Sequence, residues 1–205
     1  NVTGVDVVNL VWRHLATTQN ALPYLWGVLR PLYESGFINH QAVEFQNQLV
    51  LPKLPKFKDE ILLASGIDKL GKITINNILV SYNRTNTVNL IALQAALITL
   101  KGVKDVTLDQ THKKTTNDSL LPMPRLPAIS DLNPTIISLV QELNSLGEED
   151  GTIIASMYRH LAYWPNYLAL VKIALEPIAS SGELKRAIDK SREQSAEKAL
   201  SLSKF

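Results

Sequence analysis

Trp12-Arg13-His14-Leu15-Ala16 returns further along the chain as Tyr158-Arg159-His160-Leu161-Ala162, with Arg13 and Arg159 standing 146 residues apart. Without a gap, the same offset pairs Asn20 with Asn166, Leu22 with Leu168, Leu29 with Leu175, Pro31 with Pro177, Ser35 with Ser181 and Gly36 with Gly182. A period this long is far from the about 20–50 residues of stacked solenoid repeats. It predicts a duplicated half-domain: two similar helical units about a pseudo-two-fold axis, forming an intramolecular pseudo-dimer. A ligand site is expected at the junction, where both copies contribute side chains.

Periodicity around the repeated phrase is helical. Val8, Val11, Trp12, Leu15 and Ala16 share one face at i, i+3, i+4 spacing, as do Ile154, Met157, Tyr158, Leu161 and Ala162. A second helix follows each of these. In the later copy Pro165 suits its first turn, where no N–H is needed, and the helix runs from Tyr167 to Ile178. Pro31 and Pro177 are expected to kink or end these second helices, with Gly36 and Gly182 as C-terminal caps.

Between the copies, residues 57–103 read as helices over Ile61–Leu63, Leu70–Tyr82 and Val88–Leu100. The stretch Tyr82-Asn83-Arg84-Thr85-Asn86 reads as an Asn-rich turn, with Asn86-Thr87 capping the last helix. Residues 104–130 turn polar and then proline-rich, the best linker in the chain. Asn133-Pro134 opens a helix through Leu146, and a charged helix covers roughly 183–202. Two-residue alternation is absent, so the expected class is all-α. The expected organisation is a first repeat over 1–103, a linker over 104–130 and a second repeat over 131–205, together one compact domain.

Bulk properties remove several function classes. A chain of 205 residues is long enough to bury a core unaided. Net charge is only +2 and the basic residues are scattered, which speaks against nucleic acid as a partner. The absence of cysteine removes disulfides, thiolate zinc sites and thiol-dependent helical peroxidases together. Asn89 and Gln94 interrupt the most apolar run, so no membrane span is expected. No signal peptide is visible and a cytoplasmic location is expected, although the opening Asn1 leaves room for residues upstream.

Gly-rich phosphate loops, paired-histidine helix motifs and nucleophile elbows are all missing. What remains is the repeated Arg-His pair, the asparagines and nearby aromatics. His14 and His160 occupy equivalent positions; each imidazole is either a base near neutral pH or a satisfied interface residue. No carboxylate is repeated beside them, so no metal site is expected. Arg13 and Arg159 carry guanidinium forks suited to a carboxylate, or equally to a structural acid such as Asp6 or Asp150 or to exposed helix C-terminal carbonyls. Asn83, Asn86 and Asn89, three apart, can orient a water or a substrate oxygen without carrying charge, or can simply make the turn. Trp12 and Tyr158 serve as core, or as walls of a small-molecule pocket.

Together, Val8-Asn9-Leu10-Val11-Trp12-Arg13-His14-Leu15-Ala16, Leu29-Arg30-Pro31-Leu32-Tyr33, Tyr82-Asn83-Arg84-Thr85-Asn86 leading into Asn89-Leu90-Ile91-Ala92-Leu93, and Tyr158-Arg159-His160-Leu161-Ala162-Tyr163-Trp164-Pro165 resemble the group I 2-haloacid dehalogenase family. That family is also labelled halocarboxylic acid dehydrogenase-like. The resemblance spans most of the chain, duplication included. It implies an all-α pseudo-dimer with a pocket between the repeats, no cofactor, and hydrolysis of 2-haloalkanoic acids by direct attack of water. In the family an aspartate activates that water and an asparagine holds it. The asparagine falls at Asn86, while the aspartate position is occupied here by His160.

Two functions are expected on these grounds. One is a hydrolase of small 2-substituted carboxylic acids: His160 or a nearby acid activates water, Asn86 positions it, Arg13 or Arg159 holds the carboxylate, and Trp12, Tyr158 and Asn83 complete the pocket. The alternative is a non-catalytic protein that keeps the fold and binds a small carboxylate. In both, the partner is a small molecule; a homodimer is left open.

Overall fold

Residues 9–101, 123–147 and 154–200 are described by the computed structural model. Among them every regular element is helical and no strand occurs, so the chain is all-α. The helices are α1 (Leu10–Leu15), α2 (Ala21–Glu34), α3 (Phe37–Gln48), α4 (Asp59–Ala64), α5 (Lys69–Leu100), α6 (Pro134–Ser145), α7 (Ser156–Leu161), α8 (Pro165–Ser180) and α9 (Glu183–Leu200). A 3-10 turn at Ile129–Asp131 leads into α6. No helix among the described residues is long and apolar enough to cross a membrane.

Contacts divide the described chain into two compact units. The first holds residues 9–49, 81–101 and 190–200. Its core takes Leu29, Leu32 and Tyr33 from one face of α2, Phe37, Ile38, Ala42 and Phe45 from α3, and Val88, Ile91 and Ala92 from α5. Ala95, Ala96 and Ala199 are also buried there; side chains this small let backbones approach closely. Lys198 of α9 reaches Glu44 of α3 at 3.0 Å.

Residues 50–80, 123–147 and 154–189 make the second unit. Ile75 and Ile78 of α5, Val140 and Leu143 of α6, Leu161 of α7 and Leu168 of α8 are its buried apolar residues. The Asn133 Oδ1 accepts from the Thr135 N–H at 2.8 Å, so α6 starts as its Asn-Pro signal predicts. Lys172 of α8 meets Glu142 of α6 at 2.7 Å, and its hydrogen bond holds the Glu142 carboxyl below the usual range.

The corner between α2 and α3 has an atomic recipe. Ser35 Oγ donates to the Leu32 carbonyl at 3.1 Å and accepts from the Phe37 N–H at 3.4 Å, while Gly36 turns the chain at φ 78°. Between α8 and α9, Ser181 Oγ donates to the Ile178 carbonyl at 3.0 Å and accepts from the Glu183 N–H at 3.3 Å, and Gly182 turns at φ 74°. Both glycines occupy the left-handed region, where a Cβ is strained.

Two local expectations are corrected. Pro31 and Pro177 fall near the ends of their helices as expected, but do not themselves end them, since the helices continue to Glu34 and Ser180. Each proline removes a single N–H donor, and only about one further turn has to follow it. Nor do Tyr82–Asn86 form a turn, or Asn86-Thr87 a cap: α5 runs unbroken from Lys69 to Leu100. Thr87 Oγ1 donates to the carbonyls of Asn83 and Arg84 at 3.1 and 2.9 Å, satisfying its hydroxyl inside the helix rather than at its start. Of the expected linker, residues 104–122 lie outside the described residues, and residues 123–128 are irregular chain.

Candidate functional site

In the second unit, one end of α7 grips the proline segment. Arg159 donates from Nε to the Pro127 carbonyl at 3.1 Å and again from Nη2 to the same oxygen. His160 Nε2 lies 3.0 Å from the Pro124 carbonyl, and the Tyr163 hydroxyl donates to the Arg125 carbonyl at 2.8 Å. The reason lies in the sequence of the segment. Irregular chain leaves its carbonyls without a helical ladder, and side-chain donors fill the need.

His160 is buried, at 3 % exposure. A carbonyl only accepts, so Nε2 carries the ring proton. Burial pushes the imidazole below its ordinary value of 6.5; the bond to Pro124 opposes the shift, and the neighbouring Arg159 charge adds to it. Because the unfolded chain binds the proton more readily, the contribution of His160 to stability is full above about 6.5 and is lost as the pH falls through the lowered folded value. Urea unfolding at pH about 7.5 and about 5 should therefore show a smaller acid loss in His160→Gln, whose amide still donates to Pro124, than in the parent. An equal loss in both proteins would refute this. Tyr158, on the same helix, has its phenol pushed up by burial.

The first unit holds the other residues. Trp12 Nε1 donates to Asn89 Oδ1 at 2.7 Å, and Asn9 Nδ2 donates to Asn86 Oδ1 at 3.2 Å. The two bonds advance together, 9 to 86 and 12 to 89, so α1 and α5 run in the same direction there. Arg13 and Asn83 accordingly fall at opposite ends of the contact, Arg13 beyond the Asn89 end and Asn83 a turn before Asn86. Both are exposed, as is Asn86. No family model, curated protein or solved structure matches the chain.

The residue that the sequence underweighted is Asn89. It is buried, at 5 % exposure, while Asn83 and Asn86 face outward. Its signal was available: Val88, Ile91 and Ala92 flank it on the apolar face of α5. An indole N–H can only donate, so the Asn89 amide is oriented with Oδ1 toward Trp12 and Nδ2 away. That Nδ2 is buried without an acceptor, and Asn9 Oδ1 is buried without a donor. No group of three or more His, Asp or Glu among the described residues is arranged to hold a metal ion.

Proposed function

We propose that the protein is a non-catalytic binder of small carboxylates, built like the group I 2-haloacid dehalogenases on a duplicated helical unit that forms a pseudo-dimer. The duplication draws support from matching detail at the 146-residue offset. α1 and α7 are both six residues long, and the Ser35-Gly36 and Ser181-Gly182 corners repeat the same pair of hydroxyl bonds.

The observation that carries the binding reading is the pair of unfilled buried groups at the α1–α5 contact, a donor on Asn89 and an acceptor on Asn9. Leaving such groups unpaired costs about 1–3 kcal/mol each, so a water or ligand oxygen there is favoured. Arg13 adds an exposed guanidinium one turn after Asn9, with no hydrogen-bond or ion-pair partner among the described residues. A 2-substituted carboxylate matches this set. Its oxygens accept from Arg13 and Asn89, its 2-hydroxyl or a bound water donates to Asn9, and Trp12 supplies an apolar wall. Arg159 and His160, by contrast, already serve backbone carbonyls.

One observation favours the hydrolase reading: a buried imidazole with a lowered pKa is neutral near pH 7, the state a base requires. Titration calorimetry with lactate and 2-chloropropionate, run beside a chloride-release assay, separates the two. The binding reading expects heat with both acids, affinity reduced about tenfold or more by Arg13→Gln, and no chloride. Chloride release abolished in a folded His160→Ala would establish the hydrolase instead. No heat with either acid would sink the binding reading.

A further inference from the structure

The second unit contains an open cleft of about 940 Å³, bounded by Lys56-Phe57, α4, the first turns of α5 and Tyr167 of α8. It shares no residue with the α1–α5 contact. The volume lies near the upper end of the about 300–1,000 Å³ range of small-molecule sites.

Its walls are apolar and unusually open to solvent. Leu63 is 68 % exposed and Ile73 is 40 % exposed, and Leu62, Ile67 and Ile75 lie beneath them, buried. Phe57 and Tyr167 close one side as an edge-to-face ring pair with centroids 6.2 Å apart. Lys69, Ile73, Asn76 and Leu79 lie along one face of α5, a run of about 15 Å at the rise of an α-helix. A monomeric surface seldom leaves contiguous apolar residues of this size uncovered without use for them.

Charge at the rim identifies the occupant. Two aspartates line the cleft, and both are engaged: Asp59 with Lys72 at 2.5 Å, Asp68 with the Gly71 N–H at 2.7 Å as the cap of α5. Lys56 and Lys69 remain, with no acidic partner among the described residues. With Asp59 neutralised by Lys72, two ammonium groups stand against the single remaining carboxylate of Asp68, so the rim is net positive beside an apolar trough. An acidic head on a single apolar tail complements both features, whereas a neutral apolar partner would leave the lysines unused.

We propose that this cleft binds a single-chain amphiphilic carboxylate, a fatty acid, with its head at Lys56 and Lys69 and its chain along α5 over Leu63 and Ile73. Head and tail make separable demands. Each methylene placed on the apolar wall strengthens binding by about fourfold, and the head contributes only while the lysines are present.

The test is titration calorimetry of the full chain with octanoate and dodecanoate below their micelle concentrations and dodecanol below its solubility limit. The expected result is one-site binding of dodecanoate, much tighter than of octanoate. Affinity for dodecanoate should fall about tenfold or more in the K56Q/K69Q double variant, with dodecanol unaffected. Leu63→Asp, at a position too exposed to threaten folding, should weaken both twelve-carbon ligands. Dodecanoate producing no heat with folded protein overturns the proposal, and so does affinity unchanged in the double variant or in Leu63→Asp. Lactate binding measured on K56Q/K69Q should be unaltered, so failure here is distinct from failure of the carboxylate reading at Asn89.

Discussion

Phe45→Ala should remove about 3–5 kcal/mol of stability, the range for deleting a buried phenyl ring. Phe45 is 2 % exposed and sits in the core of the first unit with Leu29, Tyr33, Ile38 and Ile91. α3 itself is a poor autonomous helix, since FINHQAVEFQNQ mixes polar residues through most of its length. Its place in the fold rests on Phe37, Ile38, Ala42 and Phe45, so the ring is both core filler and the anchor of the helix. The control is Val43→Ala on the same helix, 49 % exposed, which should change stability by no more than about 0.5 kcal/mol. Urea unfolding of the two variants checks the pair. Similar midpoints would mean that α3 is not packed through Phe45.

Arg159→Ala should accelerate tryptic cleavage after Arg125 about ten- to hundredfold. Arg125 is exposed and followed by Leu126, a bond that trypsin accepts, but its carbonyl is held by Tyr163 and the segment is held on both sides by His160 and Arg159. Hydrogen bonds from a charged donor contribute about 1.5–3 kcal/mol, and local opening rises by the corresponding factor when they are lost. Lysine cannot reproduce the fork, so Arg159→Lys should fall between parent and alanine. Quantifying the fragment ending at Arg125 by mass spectrometry gives the rates. Parent-like cleavage in Arg159→Ala would show that the guanidinium does not fasten the segment.

The parts of the fold that were legible in the sequence are those governed by local chemistry. Asn133-Pro134 announces α6 because cap and first-turn requirements act within three residues. Pro165 announces α8 for the same reason, and Gly36 and Gly182 mark corners that only a left-handed residue makes easily. Less legible were features that depend on a partner distant in sequence. Thr87 reads as a cap from its immediate neighbours, whereas packing of Val88, Ile91 and Ala92 places it inside the helix. α3 buries only Phe37, Ile38, Ala42 and Phe45 of its twelve residues, too few to stand out from a loop.

The candidate site shows the same limit more sharply. His14 and His160 lie in near-identical pentapeptides, yet His14 is exposed and His160 is buried against Pro124. The difference comes from a proline segment 36 residues away from His160, whose recognised groups are carbonyls common to every residue type. Asn83, Asn86 and Asn89 differ likewise only in which way α5 turns them, and the helix that meets Asn89 is 77 residues earlier.

Lys198 and Ala199, near the end of the described chain, belong to the first unit, where Ala199 is fully buried in the core and Lys198 pairs with Glu44. The pairing spans 154 residues. At translation rates of about 5–20 residues per second, about 8–30 s separate the synthesis of these two partners. During that interval the nascent first unit lacks the helix that brings Ala199 into its core and Lys198 to Glu44. Chaperone capture of the nascent first unit is therefore expected to persist until α9 has left the ribosome.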